Sequence, residues 1–132
     1  MATHRDIQAR INKIPADLRL AVYLRDGNAC VYCGKPRPYG VLFEADHYRA
    51  EVWNGPTEAG NLLCCCPACN KLKRELTPRA FFVFLEDLGM LTPGLQERVE
   101  AALATDIKPF MAQARALIEA GLWPETEANR PP

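Results

Sequence analysis

Two Cys-x-x-Cys pairs, Cys30-Val-Tyr-Cys33 and Cys66-Pro-Ala-Cys69, constrain this chain more than any other feature. Each pair can turn two thiolates toward one point, and four thiolates make the closed tetrahedral shell of a structural zinc with no open position for chemistry. The six cysteines are an even count, which in a secreted chain can mean disulfides. Paired x-x spacing without a hydrophobic leader reads instead as zinc in a reducing compartment. Cys64 and Cys65 directly precede the second pair; as strand neighbours they face opposite sides, and one is expected as a small core residue. Either would replace Cys66 as a ligand only in a distorted knuckle, so the expected zinc ligands are Cys30, Cys33, Cys66 and Cys69. A chain of 132 residues suits one modest core that such a metal would help to stabilise.

No apolar run approaches the ~20 residues of a membrane span, so a soluble, cytoplasmic protein with no membrane partner is expected. The formal net charge is zero, but it is unevenly spread. Residues 1–40 hold seven Lys/Arg against three Asp/Glu, residues 41–76 four against five, and residues 77–132 five against eight. A basic head can lie along phosphates while an acidic tail points elsewhere, so neutrality does not exclude nucleic acid; it predicts weak non-specific affinity.

Punctuation residues outline the elements. Pro15 to Arg25 keeps helical spacing and stops at Gly27. Lys35 to Gly40 is too rich in proline for a helix or central strand. Val41 to Tyr48 reads as a strand, Asn54-Gly-Pro56 as a turn, Leu62 to Cys65 as a second strand, and Pro67 opens a helix running through Lys71 and Arg74. Beyond residue 76 three helices are expected: Thr77-Pro78 and Thr92-Pro93 each place a capping residue before a first-turn proline, and Gly89 and Gly121 stand at helix stops. Phe81, Phe82, Phe84 and Leu85 are more apolar than one amphipathic face uses, which suggests core packing before a subunit interface. Residues 124–132 have little to bury and are expected to form a flexible tail.

Asp46, His47, Asn61 and Asn70 form the second constellation. Phosphodiester hydrolysis needs a base to activate water and a cation to stabilise developing charge. His47 suits the base, since its unperturbed pKa near ~6.5 leaves the neutral form well populated. Asp46 offers a carboxylate oxygen and Asn70 a carbonyl oxygen, a sparse hard set suited to magnesium or manganese with waters and phosphate oxygens. Asp46 and His47 adjoin on a strand and converge on one phosphate only if the strand ends or bends there. Glu44 shares the face of Asp46 as a possible accessory acid. Trp53 and Tyr48 could stack on a sugar or base, but an aromatic in a ββ hairpin more often closes a small core, where both are expected.

The run Arg25-Asp-Gly-x-x-Cys30-x-Tyr-Cys33-Gly34, then Glu44-x-Asp46-His47, then Asn61-Leu62-x-x-x-Cys66-x-x-Cys69-Asn70-x-x-Lys73, resembles the HNH endonuclease family, over roughly residues 19 to 74. The resemblance implies an α+β, mostly helical fold. It comprises a ββα-metal core with a four-cysteine zinc knuckle, one N-terminal helix and a C-terminal helical extension. The corresponding division is 1–76 nuclease domain with its N-terminal helix, 77–123 helical extension on the same domain, and the tail. It also implies that His47 is the general base, that Asn61 bonds across the ββ loop to orient it, and that Asp46 and Asn70 hold one divalent ion. Asn70 in place of a histidine makes this the HNN variant and favours magnesium, while Ala50 replaces a proline that many relatives carry. Lys73, which matches the family pattern, and Arg25, Lys71 and Arg74 are the expected nucleic-acid contacts, with Lys35, Arg37 and Arg49 near the site in sequence. DNA is the expected partner, of a monomer or homodimer. A non-catalytic zinc module that binds nucleic acid or a protein is the rival reading, favoured by the lack of a basic extension or recognition helix.

Overall fold

A computed structural model describes residues 14–38 and 41–122; the tail expected at 124–132 lies outside them. The first helix, α1 (Ala16–Arg25), follows Pro15, whose carbonyl accepts from Arg19 N at 2.9 Å. It ends where Gly27 and Asn28 take φ of 68° and 55°, and Asn28 N bonds back to Tyr23 O at 2.7 Å. That left-handed pair turns the chain into the first cysteine knuckle.

Strand β1 (Glu44–His47) pairs antiparallel with β2 (Leu62–Cys65), in the register Glu44 to Cys65, Ala45 to Cys64, Asp46 to Leu63 and His47 to Leu62. The strand expected over 41–48 is shorter because its partner is. After Cys65 the chain turns into α2 (Pro67–Lys73), where the Cys66 thiol caps the helix by accepting from Cys69 N at 3.4 Å. No ladder partner therefore remains for residues 41–43. Two 3₁₀ turns, Glu51–Trp53 and Ala59–Asn61, shape the loop between the strands.

Three further helices follow. Helix α3 (Pro78–Asp87) starts as expected, with Thr77 accepting from Ala80 N at 3.2 Å. Helix α4 (Leu95–Ala104) starts later than Pro93, because Gly94 at φ 76° breaks the run. Thr92 serves differently: its carbonyl accepts from Leu95 N and its hydroxyl oxygen from Arg98 Nη2. Helix α5 (Lys108–Glu119) ends before Gly121, at φ 69°. Among the described residues no helix is long and apolar enough to cross a membrane.

The main core gathers Phe43, Leu62 and Leu63 with Phe81, Leu85, Leu95 and Val99, so the sheet, α3 and α4 share one apolar interior. Phe81 meets Tyr32 edge-on at 5.1 Å. A smaller cluster of Leu20, Ala21 and Ala114 joins α1 to α5. Tyr48 is half-buried against Phe82, at a centroid distance of 6.3 Å. Trp53, expected in the core, is instead 52% exposed, because its 3₁₀ turn carries it out on the loop. Phe81→Ala is expected to destabilise the fold by about 3–5 kcal/mol through the cavity it leaves, measured by urea unfolding. A loss near zero would mean that α3 is not part of the core.

Candidate metal centre and nucleic-acid site

The four predicted thiols meet. The Sγ atoms of Cys30, Cys33, Cys66 and Cys69 all lie within 4.8 Å of one another, and Cys33 and Cys66 are 3.8 Å apart. Four sulfurs tetrahedrally placed at ~2.3 Å from zinc are themselves about 3.8 Å apart, so the cluster can hold a zinc ion. The pairs come from opposite sides: Cys30 and Cys33 from the turn after α1, Cys66 and Cys69 from the start of α2. Hydrogen bonds from the thiols of Cys65 and Cys69 hold Cys30 far below its ordinary value as a thiolate, while the bond Cys69 gives to Cys30 raises Cys69 and burial raises Cys33. Cys64 and Cys65 are both fully buried, so both faces of β2 are interior. Neither displaces Cys66 from the four-thiol group.

Asn61 ties the loop between the strands. Its Oδ1 accepts from Arg49 N at 2.9 Å, and its Nδ2 donates to Arg49 O at 3.0 Å and Pro56 O at 2.9 Å. Gly55 lies so close that an added Cβ would sit 1.7 Å from Arg49 O, so no side chain fits there. This cross-brace fixes the two residues after His47. The strand ends at His47, and its ring Nε2 lies 2.8 Å from Thr57 Oγ1 and 3.7 Å from Glu51 Oε1.

Asp46 points the other way, into the interior. Its Oδ2 accepts from Tyr32 Oη at 2.9 Å and from Lys73 Nζ at 3.1 Å. Burial raises its carboxyl above the usual range, opposed by the charge of Lys73 and by hydrogen bonds from Tyr32 and Lys73. Lys73 is wholly buried and also donates to His47 O at 2.8 Å. This places Lys73 inside the framework, out of reach of the phosphate contact expected for it. Arg25 is placed similarly: its side chain is 1% exposed, paired with Asp26 at 2.7 Å and donating to Ala59 O and Leu62 O. Both cations hold backbone carbonyls, for which a charged donor is well suited.

The pocket beside the strand end has a volume of about 240 Å³ and brings Asp46 and His47 of β1 together with Asn70 of α2. The two adjacent strand residues thus do reach one space, because β1 stops there. Glu44, buried, shares the wall with Asp46, as their spacing suggests. Arg74 lines the rim, is exposed, and adopts φ 49° with ψ −127°, a region that costs a side-chain-bearing residue about 1–3 kcal/mol. Lys71 is exposed but is not among the residues lining the pocket, nor are Lys35, Arg37 and Arg49. Arg37 donates to Asn28 Oδ1 at 3.0 Å. Asp46 and Asn70 both line this pocket, and Asp46 Oδ1 takes no hydrogen bond among the described residues. That donor set fits magnesium or manganese completed by water and phosphate oxygens.

Three residues of the site lie beyond sequence reading. Arg19 of α1 is buried in the pocket wall, Tyr32 reaches Asp46 from inside the first knuckle, and Thr57 meets His47 from the loop. The spacing of Tyr32 between Cys30 and Cys33 is the one visible hint; a loop threonine and a helix arginine carry none.

Lys73→Met should cost about 3–5 kcal/mol, since Asp46 would be left buried without its counter-charge; an unfolding curve that matches the wild type would refute the pairing. Zinc retention should weaken as pH falls, because Cys33 and Cys69, raised in the metal-free cluster, hold protons that zinc must displace. Metal content after dialysis across a pH series checks this, and retention indifferent to acid would rule out a four-thiolate site. No curated protein and no solved structure matches the chain. The HNH endonuclease family model matches residues 30–75, the span that holds both cysteine pairs, both strands and α2.

Proposed function

We propose that the protein is a metal-dependent endonuclease that hydrolyses DNA phosphodiester bonds. The observation that carries this reading is the pocket that His47, Asp46 and Asn70 share, with Arg74 at its rim. The neutral imidazole of His47 takes the proton of the attacking water. Thr57 holds Nε2 of that ring, and the Glu51 carboxylate near the same nitrogen favours the imidazolium that forms. Asn61 keeps the loop closed behind the base, and Lys73 fixes the strand end by holding His47 O. Asp46 and Asn70 would hold a magnesium or manganese ion, which would supply charge stabilisation for the pentavalent phosphate and the departing 3′ oxygen. Arg74 holds a phosphate oxygen at the rim, where a guanidinium offers a fork of donors. The four-cysteine zinc takes no part in the chemistry, because its shell is closed.

A second reading rests on the engagement of Asp46 with Tyr32 and Lys73, which gives its carboxylate a structural use. On that reading the protein is a zinc module that binds nucleic acid or a protein without cutting.

Cleavage of supercoiled plasmid decides between them. Zinc-loaded protein freed of other divalent ions should nick or linearise plasmid only after magnesium or manganese is added. His47→Ala should lower the rate by about 10²–10⁴-fold while keeping its zinc and its fold. If neither plasmid, single-stranded DNA nor RNA is cut with any divalent ion, the non-catalytic module is the better description.

A further inference from the structure

Beside the pocket lies an apolar feature that the proposed chemistry does not use. Val52 is 60% exposed and Trp53 52% exposed, on the 3₁₀ turn that begins with Glu51. Exposed tryptophan is unusual, since its large ring loses the stabilisation that burial would bring. Nor is this ring loosely held. Its Nε1 donates to Glu75 O at 2.8 Å, which fastens the indole across the rim to the segment just after α2. Val52 and Glu75 both line the pocket that contains His47 and Asp46, and Arg74, adjoining Glu75, lines it too. The turn is closed by Asn54 in the left-handed region, at φ 63°, and by Gly55 N bonding to Ala50 O at 3.0 Å. An anchored, half-exposed aromatic therefore adjoins two residues, Val52 and Glu75, that line a pocket whose residues suit a phosphodiester.

We propose that Trp53, flanked by Val52, is a stacking platform for an unpaired base of the strand being cut. This deepens the nuclease reading and rests on its placement of the scissile phosphate in the pocket. A strand whose phosphate enters between His47 and Arg74 must lay a neighbouring base over the rim, and the indole is the apolar surface available to it there. Stacking is tolerant of base identity, because every base has a π-face, so the platform selects for an unpaired or distorted strand and against no particular sequence. A paired base in an undistorted duplex keeps its faces covered by its neighbours. The substrate preference that follows is for single-stranded, frayed or looped DNA.

The experiment reads Trp53 directly. The chain has two tryptophans, so Trp123→Phe leaves Trp53 as the reporter. The zinc-loaded protein, without added magnesium or manganese, is titrated with a mixed-sequence single-stranded DNA oligonucleotide and with its duplex, and plasmid and oligonucleotide cleavage are then measured with magnesium. The expected result is quenching of Trp53 emission by the single strand at lower concentration than by the duplex. Trp53→Ala should weaken single-strand binding by about 5- to 100-fold while Trp53→Phe retains most of it. Zinc content and circular dichroism establish that both variants are folded. If the protein cuts DNA but Trp53 emission does not respond and Trp53→Ala binds like the parent, the platform is overturned and the nuclease reading stands. If single strands quench Trp53 but nothing is ever cut, the platform is supported and the nuclease reading fails. Emission that changes with protein concentration and ignores DNA would assign the surface to contact between copies and overturn the proposal.

Discussion

The convergence of four thiols on one point is the constraint on which the remaining geometry depends. Helix α2 has seven residues, far too few to be stable in water by its own hydrogen bonds. It persists because Cys66 caps it, Cys69 anchors its first turn to the knuckle of Cys30 and Cys33, and the core receives its inner face. Asn70 is the next residue after the last anchor, and Lys73 lies one turn further on. Whatever fixes the cysteine cluster therefore fixes Asn70, which lines the pocket, and the ammonium of Lys73 that reaches the strand. A metal held by these thiols would set the position of a short helix, and with it one wall of the pocket.

The second level of organisation is the buried group formed by Tyr32, Asp46 and Lys73. It joins the first knuckle, the first strand and the end of α2 through one carboxylate oxygen. Desolvating Asp46 and Lys73 is costly, and the cost is offset by the hydrogen bonds that Tyr32 and the His47 carbonyl contribute. One oxygen of Asp46 thus braces the framework, joined to both Tyr32 and Lys73. The arrangement also makes His47 and the framework interdependent, since the lysine that pairs with Asp46 holds the His47 carbonyl.

Much of this is legible in the sequence, for reasons that differ by residue. The four clustered cysteines and Asn61 declare themselves because such clusters and braces demand fixed spacing, and Pro67, Thr77 and Gly121 because helix ends demand particular residues. The start of α4 is not legible in the same way: Thr92-Pro93 has the form of a cap, but Gly94 at φ 76° carries the turn one step further. Lys73 and Arg25 look like surface cations, since nothing local distinguishes a lysine that will be buried by another segment. Arg19 and Thr57 are invisible for the same reason, because their importance comes entirely from what folds against them. Average behaviour sends Trp53 to the core, whereas the loop that carries it outward is longer than the sheet it serves.

The way Arg25 and Asp26 meet β2 has one more consequence. A two-stranded sheet has two outer edges, each a row of backbone groups able to bind a foreign strand. On β2 that outer row is already occupied: Cys64 N donates to Asp26 Oδ2 at 2.9 Å, Leu62 O accepts from Arg25 Nη2 at 2.6 Å, and Cys64 O accepts from Val31 N at 3.0 Å. Side chains and a turn stand where a third strand would lie. So small a sheet, with apolar residues on both faces, would otherwise be a template for strand exchange and fibre growth. The β2 edge is closed by the segment that leads from the first helix into the first cysteine knuckle, so the stretch of chain that brings in Cys30 and Cys33 also shields that edge from a foreign strand.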